Sequence, residues 1–196
     1  MKLKTSITIL SGCLAIFIFI MLPIVLSVQD KKEDIVASYT GSSFTLTDVN
    51  NNPITEKSFQ GPATALFFGF THCPDVCPMT LTKLKIVSEQ LKQDQNKLKI
   101  FFISIDPKRD TPEIVKNYLE SFGEQFIGIT GEPEKIFKLS RSWGIIKEQI
   151  FNEDGTYTLN HSSPIILLKD GKYAATIRQQ DDIKKSLKKI KKHLKI

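Results

Sequence analysis

The sequence predicts an α/β domain built on a mixed sheet flanked by helices and preceded by one N-terminal transmembrane helix. Three observations carry that reading. Two continuous apolar runs of strand length, residues 63–70 and 98–105, read as central strands covered on both faces. Segments of helical apolar spacing alternate with the strands. Residues 5–29 form an uncharged run rich in Ile, Leu and Phe, long enough to cross a hydrocarbon core of about 30 Å.

The elements follow in order. Phe44 and Leu46, then the cluster from Asp48 to Pro53, read as a hairpin with its turn at the asparagines. The strand 63–70 runs into Thr71-His72-Cys73-Pro74-Asp75-Val76-Cys77-Pro78, and a helix follows with Leu84, Val87 and Leu91 on one stripe. The strand 98–105 ends in Asp106-Pro107-Lys108-Arg109-Asp110-Thr111-Pro112. There Thr111 is placed to cap a helix with Pro112 in its first position, and the helix should stop near Gly123. A short strand at 126–129 and a helix over 132–143 come next. Segments 145–151 and 157–161 flank a turn at Asn152–Gly155, and 165–168 and 173–177 form a hairpin around Asp170-Gly171. A last helix starts near Asp181, with Ile183, Leu187, Ile190 and Leu194 on one side.

The formal charge of +6 would suggest a polyanionic partner only if it were spread over a face. Instead, seven lysines crowd the last thirteen residues, and without them the chain is near neutral. That helix reads as a solvated face over an apolar stripe. With no RNA-binding aromatic motif and no Gly-rich phosphate loop, nucleic acid is not an expected partner.

Lys2 and Lys4 precede the apolar run and mixed charges (Asp30 to Asp34) follow it, which favours a single-pass anchor with the body on the extracytoplasmic side, periplasmic or intermembrane-space. Leu10-Ser11-Gly12-Cys13 looks like a lipoprotein cleavage box, but too few apolar residues precede Cys13 and too many follow. The expected organisation is an anchor at 1–29, a linker at 30–40 and a domain at 41–196.

Of three cysteines, Cys13 lies in the anchor, while Cys73 and Cys77 form a close pair in an oxidising compartment. A disulfide closing so short a loop would stabilise little, so chemistry explains the pair better. A strand feeding a helix through this turn places the thiols at a helix N-terminus, where the dipole should lower thiolate pKa. Three intervening residues, one more than in thioredoxin-type oxidoreductases, bring both sulfurs within reach of one ion. Two soft thiolates favour Cu(I), although zinc would also bind. Among the three histidines, His193 sits in the lysine-rich tail and His72 adjoins Cys73 in a poor geometry. His161 precedes Ser162-Ser163-Pro164 and a strand; in thioredoxin-like folds that loop, often with a cis-proline, lies against the Cys turn. On spacing alone His161 reads as a loop histidine without a metal role.

Three blocks of this sequence resemble the Sco/SenC family, the copper chaperones of cytochrome c oxidase assembly: Phe70–Pro78, Ser104–Pro112 and His161-Ser162-Ser163, in matching order over about residues 41–180. The resemblance implies a thioredoxin-like fold, a copper ion bound by Cys73, Cys77 and His161, and delivery of copper to the binuclear copper site of oxidase subunit II. The alternative it leaves open is a thiol–disulfide reductase acting on the cysteines of that site. Other copper carriers or thiol reductants are further expected partners. Thr71-x-Cys73 also allows a thioredoxin-like peroxidase, which would leave the third block unexplained. Asp75, Asp106, Arg109 and Asp110 read as turn-shaping and helix-entry residues, since hard carboxylates are poor Cu(I) ligands.

Overall fold

The computed structural model describes residues 43–194 together with Met21. The chain divides into two units, Met1–Ser38 and Tyr39–Ile196, and the fold described is that of the second. The expected linker, Cys13 and, save Met21, the apolar run lie outside the described residues; among the described residues no helix is long and apolar enough to cross a membrane.

The strands are β1 (Thr45–Asp48), β2 (Pro53–Thr55), β3 (Ala63–Gly69), β4 (Leu98–Ser104), β5 (Phe126–Thr130), β6 (Lys147–Phe151), β7 (Tyr157–His161), β8 (Ile165–Lys169) and β9 (Lys172–Ile177). Seven of them form one mixed sheet in the order β2-β1-β5-β4-β3-β8-β9. Every residue of β3 is buried, as are all of β4 but Lys99, so the two apolar runs occupy the centre as their composition requires. They pair in parallel, Ala63 opposite Leu98 through Gly69 opposite Ser104. β8 runs antiparallel to β3, with Ile165 opposite Phe67. Consequently the loops that leave Gly69 and Ser104 and the segment that enters Ile165 all emerge at one edge of the sheet.

Four helices cover the sheet: α1 (Val76–Glu89), α2 (Pro112–Glu120), α3 (Pro133–Ser142) and α4 (Ile183–Leu194). α1 buries Cys77, Leu81, Leu84 and Val87, a stripe at three- and four-residue spacing. The Thr111 side chain accepts the Ile114 N–H at the start of α2, with Pro112 in the first turn. α2 ends three residues before Gly123, whose φ of +121° suits a residue without Cβ.

One feature was not readable from the sequence, and two expectations need correction. β6 and β7 form a two-stranded sheet of their own, outside the main one, and β6 is exposed along its whole length. Pro164 is preceded by a trans peptide, for the described residues contain no cis bond. The lysines of α4 are not simply a solvated face. Lys184, Lys188 and Lys192 are exposed, but Lys185 and Lys189 place their Nζ atoms 2.7 and 2.6 Å from the carboxylate of Asp181, itself 2 % exposed. Lys189 also donates to the Thr176 carbonyl (2.6 Å), and the Arg178 N–H donates to Asp181 (2.9 Å). These contacts fasten α4 to the end of β9, while Ile190 is buried beneath it.

Lys185 first, then Lys189, hold the Asp181 carboxyl below the usual carboxylate range. A depressed folded-state pKa means that the stabilisation is complete above the unfolded value, about 4, and is lost as pH falls below it. Urea unfolding of Asp181→Asn should show a loss of about 2 kcal/mol at neutral pH, and the gap to the wild type should narrow as pH falls below about 4.

Candidate metal centre

The thiol loop begins where β3 ends. Gly69 has no side chain for a reason: a Cβ built there would lie 3.0 Å from Cys77 Sγ and 2.9 Å from the Phe102 ring. The absence of that carbon lets the Cys77 thiol settle against the sheet. Cys77 is fully buried and Cys73 partly exposed, and both are free. Asp75 stands at the N-cap of α1, but its side chain makes no capping bond. Instead the Cys77 N–H donates to Cys73 Sγ (3.4 Å), so one of the helix's unpaired donors ends on sulfur. The expected acidification of both thiols does not hold for Cys77. Burial pushes it well above the ordinary thiol range, outweighing a hydrogen bond from the Phe70 backbone that acts the other way, and the neighbouring Cys73 adds to the rise.

His161 ends β7 and reaches the same edge of the sheet. Its ring meets the Phe70 ring edge-on, with centroids 5.8 Å apart. Nδ1 lies 2.9 Å from the Ser162 carbonyl oxygen. A carbonyl only accepts, so Nδ1 carries the proton and Nε2 keeps its lone pair. Burial lowers the pKa of this imidazole, which keeps it neutral at pH 7. The structure thus brings Cys73, Cys77 and His161 to one edge, with Phe70 as the shared neighbour. It does not close them into a cage: among the described residues no three His, Cys, Asp or Glu side chains converge closely enough to hold a metal ion.

The loop after β4 braces both halves. The carboxylate of Asp110, fully buried, accepts from the Thr71 N–H (3.0 Å), the Thr71 hydroxyl (2.6 Å) and the Ser104 hydroxyl (2.6 Å). Because Thr71 spends its hydroxyl proton on Asp110, its contact with His72 Nδ1 (3.1 Å) must be donated by the imidazole. His72 therefore turns toward Thr71 and Asp110. His193 lies on α4.

A family model described as SCO1/SenC matches residues 32–195. The chain belongs to the SCO1/SenC family. An SCO2-like protein of Rickettsia typhi is 38% identical over 136 residues, 68% of this chain and 67% of that protein. The mitochondrial protein SCO1 homolog 1 of Arabidopsis thaliana is 38% identical over 129 residues, 65% of this chain but only 39% of the plant protein. Among solved structures, Bradyrhizobium japonicum ScoI with copper bound superposes with a TM-score of 0.72 at 37% identity, covering 78% of this chain and 98% of that one. The mixed sheet with flanking helices is thus the thioredoxin-like fold of the Sco proteins.

Two residues of this SCO1/SenC chain escaped the sequence reading. Tyr157 lies four residues before His161, and the alternation of a strand puts Tyr157, Leu159 and His161 on one face. That signal was present. Tyr118, on α2, packs between Phe102 and Phe122, with its hydroxyl buried and unpartnered. Burial, then the nearby Cys77, Cys73 and Asp110, raise its pKa and hold it protonated. No sequence pattern marked it.

The unequal setting of the two thiols has a direct readout. Alkylation by iodoacetamide at pH 7, followed by peptide mass spectrometry, should modify Cys73 at least tenfold faster than Cys77, since only thiolate reacts. Equal rates would contradict the burial of Cys77.

Proposed function

We propose that this chain is a copper carrier of cytochrome c oxidase assembly. In this reading Cys73 and Cys77 hold Cu(I), and His161 completes the site through Nε2. The observation that carries it is the donor set at one sheet edge: two free sulfurs and a neutral imidazole whose Nε2 lone pair is unspent. Two soft sulfurs and one nitrogen suit Cu(I), whereas a structural zinc site would want a fourth protein ligand. Copper bound to a ScoI that is 37% identical supports the same choice. Delivery to the binuclear copper site of oxidase subunit II is the task inferred from family membership. A single-pass anchor at 1–29, a linker at 30–40 and an extracytoplasmic domain at 41–196 are proposed from the apolar run and its flanking charges.

The residues divide the work. Cys73, partly exposed, is the sulfur that an incoming partner thiolate can reach first. Cys77 must surrender its proton to ligate, so uptake releases a proton and tightens as pH rises. His161 closes the site by a short shift of its hairpin, and the reverse shift opens it for release. A second reading, thiol–disulfide reductase, is favoured by the unequal exposure of the pair. Cys73 would attack a partner disulfide, and Cys77 would displace the partner thiol while the Cys73–Cys77 disulfide forms.

The detergent-solubilised chain should retain one copper per molecule. Cys73→Ala and Cys77→Ala should each abolish retention, and His161→Ala should weaken Cu(I) binding at least tenfold in competition with a chromophoric chelator. Unchanged affinity in His161→Ala, with reductase activity intact, would select the second reading.

A further inference from the structure

We propose that Asp106, Arg109 and Tyr157 are positioning residues that set how far His161 stands from the thiols; the inference rests on the copper-carrier reading. The β6–β7 hairpin belongs to no larger sheet, so its orientation is fixed by a few contacts. Leu159 packs into the core and His161 against Phe70, while the hairpin's polar contacts are concentrated on one segment, residues 105–109. Arg109 Nε meets Asp106 Oδ2 at 2.5 Å and Nη1 donates to the Tyr157 carbonyl at 2.7 Å, while the guanidinium carbon lies 3.7 Å above the Tyr157 ring centroid. The Tyr157 hydroxyl donates to the other carboxylate oxygen, Asp106 Oδ1, at 2.8 Å. Backbone, ring and hydroxyl of one tyrosine are all held. On the opposite strand Lys147, in register with His161, donates its Nζ to the Ile105 carbonyl. Both strands of the hairpin are thereby tied to the segment that begins the second motif.

That segment is also tied to the thiol loop. The Asp106 N–H donates to Ser104 Oγ (3.0 Å), Ser104 donates to Asp110, and Asp110 holds Thr71, two residues before Cys73. A continuous chain of charged and neutral hydrogen bonds therefore runs from Cys73's loop to His161's strand. Asp106 is 3 % exposed, and charge-assisted bonds in such surroundings are among the stronger ones. A hairpin held this way keeps His161 within a short shift of the thiols, with little ordering left to do on closure, so loosening it should weaken binding.

The test uses the full chain in detergent micelles, with Tyr157→Phe, which keeps the ring under the guanidinium and removes only the hydroxyl, and Asp106→Asn. Hydrogen exchange of the metal-free protein should speed up about tenfold over residues 157–161. Cu(I) affinity by chelator competition should fall about tenfold, and that fall should vanish when His161→Ala is already present, because the clamp acts through His161. Unchanged exchange in Tyr157→Phe would overturn the clamp, as would an affinity loss that persists without His161. If the wild type bound no copper, the carrier reading would fail on its own and the exchange measurement would still decide the clamp. Should Asp106→Asn not fold, Tyr157→Phe decides alone.

Discussion

A carboxylate removed from water is costly unless hydrogen-bond donors surround it. Asp110 meets that demand with three: an amide and a hydroxyl from Thr71 and a hydroxyl from Ser104. Since Thr71 follows β3 and Ser104 ends β4, satisfying one carboxylate holds two parallel strand ends in register just where the chain must leave the sheet. The Thr130 hydroxyl donates to the Asp110 carbonyl and brings in the end of β5 (2.7 Å). The cysteine loop departs from this fixed point, and so does the segment that grips the histidine hairpin.

At the thiols two familiar effects compete, and their sizes decide the outcome. A helix N-terminus favours a nearby negative charge by about 0.3–1 kcal/mol, up to about 2 in partly buried sites. Full burial of an ionisable group shifts its pKa by up to about 3–5 units, at about 1.4 kcal/mol each. For Cys77 burial prevails. Burial likewise keeps His161 neutral. Cys77 and His161 thus stand uncharged, and in the proposed carrier a soft cation would compensate the charge that Cys77 acquires on ligation. In the proposed carrier that arrangement would favour transfer over permanent retention, since protonation of a buried thiol would help copper to leave when a partner's sulfurs arrive.

Legibility in the sequence followed the range of the interactions. Thr111 and Pro112 announced a helix start because capping is local, and β3 and β4 were visible as apolar runs because burial on both faces leaves no alternation to read. The separate β6–β7 sheet was not visible: a hairpin's sequence pattern is the same whether or not another strand pairs with it. Nor did the lysine run show that Lys185 and Lys189 serve Asp181. A helical stripe announces which residues share a face, not which carboxylate lies beneath them.

For the candidate site the division is equally physical. The sequence by itself determined the thiol pair, its place at a strand-to-helix turn and the three motifs, because each lies within nine consecutive residues. Only the tertiary structure decided that Cys77 is buried against Gly69, that His72 turns to Thr71 and Asp110, and that His161 stands beside Phe70 short of the sulfurs. It alone showed Asp106 and Arg109 as a grip on Tyr157 across about fifty residues of chain. Cys73 and Cys77, alike in the sequence, are in three dimensions one reachable sulfur and one guarded one.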